Sequence, residues 1–292
     1  MRGPRGGYAS PLMRPSLTIV MPSYQQAAYL EEAIGSVLAQ GDAVTQFIVL
    51  DGGSTDGSRE IIERYADRID FWRSEPDGGQ ANAIAEGLAM AEGDVVTWLN
   101  SDDALLPGAA AAMLERFAAD PDLGLLEGDT VVVDDASRVL RCDRRAGPSA
   151  AWMRHGYLRI HQPSTFFRRR VYEAVGGLDR SLQCVMDTDL WYRLLPAAPA
   201  ARLERYVGVH RVHPQAKGEA ERWRARYRAE REVMAERYPE IHGRPIRYHL
   251  GRIAFYAERL RTGRGRRAAR DTRALAGRPL VEAFPDAAST CR

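Results

Sequence analysis

Residues 95–103 have the sequence VVTWLNSDD, an apolar run that ends in two adjacent carboxylates, Asp102 and Asp103. The apolar part predicts a buried strand. Two neighbouring carboxylates repel each other, so this placement is costly unless a cation or hydrogen-bond donors compensate. Hard oxygen ligands of this kind suit Mg²⁺ or Mn²⁺. The stretch therefore predicts a metal or ligand site at the end of a buried strand.

Two other apolar runs in the first half also end in polar residues. Residues 17–21 precede Pro22-Ser-Tyr24, and residues 46–50 precede Asp51. Helical spacing of apolar residues separates these runs, which predicts helical crossovers between the strands of a mostly parallel sheet flanked by helices. The carboxyl ends of parallel strands meet at one edge, where open α/β sheets bind ligands. We therefore expect the three polar clusters to form one site.

The pattern changes after residue 120. Short strands are predicted on either side of a turn at Asp134-Asp135, with a further strand at residues 206–212. From about residue 219 the chain is helical in pattern and rich in arginine. The predicted organisation is a flexible tail at 1–16, one α/β domain at 17–217 whose halves meet at 120/121, and a helical C-terminal region at 218–292.

Composition excludes several classes of protein. The chain has 292 residues, 45% of them hydrophobic, and a formal net charge of +2, which argues against wholesale disorder and implies no nucleic-acid partner. No apolar run approaches the length of a membrane span. Cys142, Cys184 and Cys291 form neither a disulfide framework nor a zinc motif, so a cytoplasmic location is expected. The sequence has no glycine-rich phosphate loop with a lysine, which argues against a P-loop NTPase. It has no G-x-G-x-x-G after the first strand, which argues against a nicotinamide-dependent dehydrogenase.

An ordered series of motifs resembles the family-2 glycosyltransferases of the GT-A fold. The series runs from about residue 17 to residue 217, and its order makes it more specific than any single member. The motifs are Val20-Met-Pro-Ser-Tyr-Gln25, Val49-Leu-Asp-Gly-Gly-Ser-Thr-Asp-Gly57, Glu75-Pro-Asp-Gly-Gly-Gln80, Trp98-Leu-Asn-Ser-Asp-Asp103, His161-Gln-Pro-Ser-Thr-Phe-Phe-Arg168, Gly176-Gly-Leu-Asp179 and Met186-Asp-Thr-Asp-Leu-Trp191.

The resemblance implies an inverting hexosyltransferase that uses Mn²⁺ or Mg²⁺ and a nucleotide-sugar donor, with a UDP-sugar favoured. Residues 17–120 would bind the nucleotide sugar and residues 121–217 the acceptor, a growing surface glycan or a lipid-linked saccharide. The donor-binding positions implied are Pro22, Ser23, Tyr24, Asp51 (to the base), Asp77, Gln80, Ser101 and Asp102. The metal positions implied are Asp103, which would bind the metal that bridges the diphosphate, Asp102, and more weakly His213.

The resemblance also places the general base at Asp187, in an acidic motif before a Leu-Trp pair. Asp189 stays open as the alternative, and the helical spacing from Asp189 onward favours Asp187 as a loop residue. Both carboxylates would alternatively act as helix caps. The chain departs from the family pattern at Gly52, where a second Asp is frequent, and at Met186, where Glu is frequent.

Two other functions and three roles of the C-terminal region remain open. A sugar-phosphate nucleotidyltransferase would need a glycine-rich basic loop that Pro22-Ser-Tyr-Gln25 does not provide, and a non-catalytic basic binding module would bind no donor. In the C-terminal region, Ile246, Leu250, Ile253 and Leu260 alternate with Arg247, Arg252 and Arg259. This pattern predicts a solvated helix face or a peripheral contact with anionic lipid at the inner face of the membrane, ahead of nucleic-acid binding.

Overall fold

The computed structural model describes residues 14–217, 221–242 and 245–285. Most of the predicted tail at 1–16 and Cys291 lie outside those residues, although Ser16 is described and bonds to Asp94 through both its N–H and its hydroxyl. In chain order the strands are β1 (Leu17–Ser23), β2 (Gln46–Asp51), β3 (Phe71–Ser74), β4 (Val95–Trp98), β5 (Ala104–Leu105), β6 (Leu125–Val133), β7 (Val139–Asp143), β8 (Thr165–Arg168) and β9 (Ala200–Arg211).

The helices flank this sheet and continue beyond it into the C-terminal region. They are α1 (Ala27–Leu38), α2 (Ser58–Arg64), α3 (Gln80–Ala89), α4 (Ala109–Ala119), α5 (Ala150–Arg154), α6 (Arg169–Ala174), α7 (Met186–Ala197), α8 (Arg224–Arg237), α9 (Pro239–His242), α10 (Pro245–Arg261), α11 (Arg264–Leu275) and α12 (Leu280–Ala283). No described helix is both long enough and apolar enough to cross a bilayer.

The strands form one sheet in the order β3-β2-β1-β4-β8-β6-β9-β5, with β7 paired to β6. The pairs β3–β2, β2–β1 and β1–β4 are parallel, as the alternation of strands and helices predicts. Beyond β4 the sheet is mixed, because β8 runs antiparallel to both β4 and β6 while β9 runs parallel to β6. The expected mostly parallel sheet therefore describes the first half, and the β6–β7 hairpin and the short β8 reverse the direction in the second.

Two apolar layers cover the faces of the sheet. Alternate residues of each central strand point to opposite layers: Val20 of β1 packs toward α3 and α7, whereas Ile19 packs toward α1 and α4. Both residues are fully buried. Because both faces of the sheet are covered, the strands are continuous apolar runs in the sequence. The polar residues are therefore found at the ends of the strands.

The C-terminal helices pack against the α/β domain. In α11, Asp271 pairs with Arg144 and accepts a hydrogen bond from the hydroxyl of Tyr206 on β9. Met234 of α8 is buried in the same core as α7. The C-terminal helices therefore share buried contacts with the α/β domain, and the boundary at residue 217 stays a prediction.

Helix α3 approaches β1 so closely that Gly87 has no room for a side chain. A Cβ at this position would overlap the buried side chain of Val20. We predict that Gly87→Ala lowers the free energy of unfolding by about 1–3 kcal/mol through overpacking. Gly265→Ala in α11, where the nearest atom to a new Cβ is 3.8 Å away, is the matched control and should leave stability unchanged or slightly raised. Equal stabilities of the two variants in chemical denaturation would contradict this packing.

Candidate functional site

A cleft of about 640 Å³ opens at the carboxyl ends of β1, β2 and β4. The three polar clusters predicted from the sequence meet there, because Pro22-Ser-Tyr24, Gly52 and residues 100–103 all line it. Residues from the second half and the C-terminal region complete the wall. The predicted residues that line the cleft are Pro22, Ser23, Tyr24, Asp77, Gln80, Ser101, Asp102, Asp103 and Asp187.

The first wall of the cleft offers groups suited to a planar, polar ligand. Tyr24 is 62% exposed at the rim, and the buried hydroxyl of Ser23 has no hydrogen-bond partner among the described residues. Asp77 accepts the backbone N–H of Gly79 and lies over Gly52. A Cβ at position 52 would be 3.2 Å from both carboxylate oxygens of Asp77 and from the Tyr24 ring. The glycine that departs from the family pattern therefore makes room for Asp77.

Asp51 has a different position from the other strand-end residues. Its carboxylate is buried and accepts hydrogen bonds from the N–H and hydroxyl of Ser54 and from the hydroxyl of Ser74. It does not line the cleft, whereas its neighbour Gly52 does. In this structure Asp51 holds the loop after β2 in shape, and its predicted contact with a base stays a prediction.

Asp102, which lines the cleft, forms a close pair with His213, which is 3% exposed and lies behind it without lining the cleft. The Nε2 atom of His213 lies 3.0 Å from Oδ2 of Asp102, and its Nδ1 lies 3.1 Å from Oε1 of Gln215. Burial, followed by the nearby charge of Asp103, raises the pKa of Asp102 above its ordinary value. The hydrogen bond with Asp102 raises the pKa of His213. His213 is thus brought to the acidic pair from 111 residues away in sequence.

Asp103 is used differently from Asp102. Its Oδ1 accepts the backbone N–H of Arg211 at 2.9 Å and lies 3.3 Å from Nδ1 of His210. Its Oδ2 accepts from the side-chain amide of Asn100. Asp103 is 2% exposed, and both of its carboxylate oxygens accept hydrogen bonds from groups inside the protein. This geometry favours Asp102 over Asp103 as the carboxylate that faces a bound ligand.

The side chains at this point fit a divalent cation only in part. In the described ranges no group of three or more His, Cys, Asp or Glu side chains is arranged to hold a metal ion. Asp102 and His213 nevertheless offer one carboxylate and one imidazole that already face each other. A mixed oxygen and nitrogen pair suits Mn²⁺ better than Mg²⁺, and the remaining ligands would come from a diphosphate and water.

The two candidate bases are separated by their surroundings. Asp189 is fully buried and bound by Arg193, Arg237 and the hydroxyl of Tyr238. Asp187 lines the cleft and accepts hydrogen bonds only from its neighbour Thr188 among the described residues. Burial raises the pKa of Asp187, and the hydrogen bonds from Thr188 and the charge of Lys217 offset this only in part. Asp187 lies in the first turn of α7, so its predicted position in a loop was wrong.

Helix α8 holds the segment that presents Asp187. The carboxylate of Glu230 accepts the backbone N–H groups of Gln183, Cys184 and Val185 just before α7. Arg226 pairs with Glu230 at 2.7 Å. Three backbone hydrogen bonds to one carboxylate hold residues 183–185 in a single conformation. The catalytic candidate is therefore positioned by a helix beyond the predicted domain boundary.

The wall of the cleft near Asp187 is cationic and aromatic. Lys217, the chain's single lysine, donates to the backbone carbonyl of Gln183 and lies 4.8 Å above the ring of Trp223. Burial lowers the pKa of Lys217 to about 8. Arg222 and Arg226 line the same wall. Positive charge here suits an anionic group such as a phosphate.

Several residues that line or shape the cleft are not marked by any sequence motif. Arg211 and Glu230 lie in no motif that carries chemistry on its own, and both act through partners far along the chain. Lys217 carried one usable signal, since it is a lone lysine among 41 basic residues. Trp223 belongs to none of the sequence motifs, yet it lines the cleft.

The chain is similar to known glycosyltransferases in sequence and in fold. Residues 18–128 match the model of Glycosyl transferase family 2. An uncharacterised protein of Mycobacterium tuberculosis is 28% identical over 219 residues, which are 68% of this chain and 67% of that protein. An uncharacterised glycosyltransferase of Nostoc is 33% identical over 133 residues, 41% of this chain and 40% of that protein. The chain thus spans about two fifths to two thirds of these relatives.

Solved structures of Staphylococcus aureus TarS share the fold. Residues 1–349 of TarS in complex with UDP-GlcNAc superpose with a TM-score of 0.61 over 95% of this chain and 82% of that one, at 16% identity. The same fragment in complex with UDP gives 0.54 over 68% and 61%, at 18% identity. At this identity the likeness establishes the GT-A architecture, including C-terminal helices.

The contrast between the two aspartates gives a prediction about stability. Asp189→Asn leaves two arginines without their buried carboxylate, so we expect it to lower the free energy of unfolding by about 3 kcal/mol. Asp187→Asn removes an unpaired, desolvated charge and should leave stability at neutral pH unchanged or raised. Chemical denaturation of both variants checks this. A larger loss for Asp187→Asn would contradict the assignment of Asp189 to a structural role.

Proposed function

Since the chain belongs to glycosyl transferase family 2, we propose that it transfers a sugar from a UDP-sugar to a hydroxyl of a glycan or lipid-linked acceptor with inversion at the anomeric carbon. The observation that carries the proposal is the position of Asp187, an unpaired carboxylate that lines the same cleft as the polar strand ends. The complexes of TarS with UDP and UDP-GlcNAc support a uridine nucleotide as the first donor to test.

The nucleotide would occupy the wall formed by the ends of β1 and β2. The free hydroxyl of Ser23 and the carboxylate of Asp77 supply hydrogen-bonding groups, and the exposed ring of Tyr24 supplies a surface for a planar base. The diphosphate would then lie toward Asp102 and His213. A divalent cation bound there would act as a Lewis acid on the departing diphosphate.

Asp187 would act on the acceptor side of the cleft. Its carboxylate takes the proton of the acceptor hydroxyl as that oxygen bonds to the anomeric carbon, while the bond from that carbon to the diphosphate oxygen breaks. The electron pair of the broken bond leaves with the nucleoside diphosphate. One displacement from the opposite face inverts the configuration. The desolvation that raises the pKa of Asp187 also makes it a stronger base than an exposed aspartate.

The experiment that tests the proposal is release of UDP from a panel of UDP-sugars in the presence of Mn²⁺, followed by transfer to saccharide acceptors. UDP release from at least one donor is expected. A protein that binds no nucleotide would be a non-catalytic module, and one that forms a UDP-sugar from a nucleoside triphosphate and a sugar phosphate would be a nucleotidyltransferase. Either result would overturn the proposal.

The role of Asp187 predicts a specific kinetic loss. Asp187→Asn should lower the rate of transfer by about 10²-fold or more, because the acceptor proton has no base, while the affinity for UDP stays nearly unchanged. Asp179→Asn, a carboxylate in the same half that pairs with Arg237, is the control and should keep most of the rate. Normal transfer by a folded Asp187→Asn variant would remove Asp187 from the mechanism.

The floor of the cleft predicts which carboxylate matters for the metal. Asp102→Asn and His213→Gln should each abolish the part of UDP binding that depends on Mn²⁺, because Asp102 lines the cleft and His213 holds its carboxylate in place. Calorimetric titration of UDP with and without Mn²⁺ measures this part. UDP binding that is equally strong without a divalent cation in the wild type would contradict a metal-assisted reaction.

Lys217 predicts how donor binding depends on pH. Burial lowers its pKa to about 8, and the titratable groups that act on it are Cys184, Glu230, Arg226, Asp102 and Asp187. Its positive charge is lost gradually as the pH rises through about 8, so the affinity for UDP should fall through that range. Lys217→Arg keeps its charge and should shift the fall to higher pH. An identical profile for the two proteins would exclude Lys217 from the donor site.

A further inference from the structure

Helix α10 carries a row of large apolar side chains on its outer face. Ile246, Leu250, Ile253 and Leu260 are between 54% and 75% exposed. At about 100° per residue these positions, together with Ala257, fall within an arc of roughly 80°. We call these five residues the apolar stripe. Isolated exposed apolar residues are ordinary, but a continuous row along four turns of one helix marks an interaction surface.

The opposite face of α10 already has its partners. Phe255 is buried and packs edge-on against Trp152 and Tyr157, with ring centroids 5.8 and 5.2 Å apart. A Cβ at Gly251 would overlap the side chain of His155. The helix is therefore fixed to the α/β domain by one face, and the apolar stripe points away from that contact.

The charge around the stripe is strongly positive. Residues 245–285 contain ten arginines and three carboxylates, in a chain whose net charge is +2, so the remainder of the chain is net negative. Arg261 and Arg264 are paired with Glu258. Among the described ion pairs none includes the exposed Arg247, Arg266 or Arg273. The free charges therefore belong to the same helical pair, α10 and α11, as the apolar stripe.

From this combination we infer that α10 lies in the headgroup region of an anionic lipid bilayer, with the apolar stripe inserted and the free arginines of α10 and α11 against the headgroups. Apolar residues on one face with arginines at its flanks are what such a helix needs. A second copy of the chain would bring two arginine-rich surfaces together, which charge repulsion opposes. A nucleic acid would use the arginines but leave the stripe exposed.

The test is binding of the full chain to vesicles, measured by co-sedimentation. At low salt the protein should bind vesicles of equimolar phosphatidylglycerol and phosphatidylcholine and fail to bind pure phosphatidylcholine. Binding should weaken as salt is added, because the headgroup attraction is screened. A wild-type protein that ignores the anionic vesicles at low salt would overturn the inference.

Two triple variants separate the apolar and the charged contributions. Ile246→Ser with Ile253→Ser and Leu260→Ser should reduce vesicle binding at least about tenfold, as should Arg247→Gln with Arg266→Gln and Arg273→Gln. The control for the apolar stripe is the double variant Leu140→Ser with Val233→Ser, which removes exposed apolar groups from other elements. The control for the arginines is the triple variant Arg59→Gln with Arg68→Gln and Arg180→Gln, which removes exposed charges from other elements. Controls that lose binding as strongly as the stripe variants would overturn the inference.

Sedimentation velocity tests whether the stripe is an interface between copies, and UDP binding tests whether the cleft is intact in each variant. If the stripe variant converts a wild-type dimer into a monomer while vesicle binding is absent, the stripe is an interface between copies and the inference is wrong. UDP affinity should be the same in every variant, because none of the substituted residues lines the cleft. Failure of vesicle binding with intact UDP binding thus rejects the membrane contact alone, and the reverse result rejects the proposed donor.

Discussion

The arrangement of the site depends on the hydrogen bonds that the buried guanidinium of Arg211 donates. Arg211 is 1% exposed and donates to the backbone carbonyls of Asp102 and Asp134 and to the hydroxyl of Ser137, and it pairs with Glu32 of α1. A buried cation is tolerated only when such acceptors surround it. Since these groups come from α1, the end of β4 and the β6–β7 turn, one side chain holds three separate segments in register.

The consequence of this contact appears two residues further on. The backbone N–H of Arg211 anchors Asp103, and the chain then turns so that His213 reaches Asp102. The acidic pair is thereby divided between two tasks. Asp103 binds the backbone at the end of β9, and Asp102 faces the cleft. A repulsive pair of carboxylates at a strand end is stable here because each carboxylate has its own donors.

The second half of the site depends on the C-terminal region. Glu230 of α8 fixes the backbone before α7, and Arg237 and Tyr238 bind Asp189 at the first turns of that helix. These contacts leave Asp187 as the carboxylate free to act. The proposed chemistry therefore needs α8 as well as the α/β domain, and α10 would bring the same unit to a lipid surface where lipid-linked acceptors are concentrated.

The sequence predicts the local features of this molecule better than the long-range ones. Strands that end in Pro22-Ser-Tyr24, Asp51 and Asn100-Ser-Asp-Asp103 are identifiable because an apolar run and a polar end lie next to each other. Their convergence follows from the topology of parallel strands. The choice between Asp187 and Asp189 could not be made in this way, because two of the three partners of Asp189, Arg237 and Tyr238, lie 48 and 49 residues later. The different uses of Asp102 and Asp103 depend on β9 for the same reason.

The central claim is that a nucleoside diphosphate binds at the carboxyl ends of β1, β2 and β4 with its phosphates toward Asp102 and His213. A crystal structure of the full chain with UDP and Mn²⁺ tests it most directly. The account predicts the uracil beside Ser23, Tyr24 and Asp77, and the diphosphate and Mn²⁺ in contact with Asp102 and His213. UDP bound outside this cleft, or with its diphosphate remote from Asp102, would contradict it.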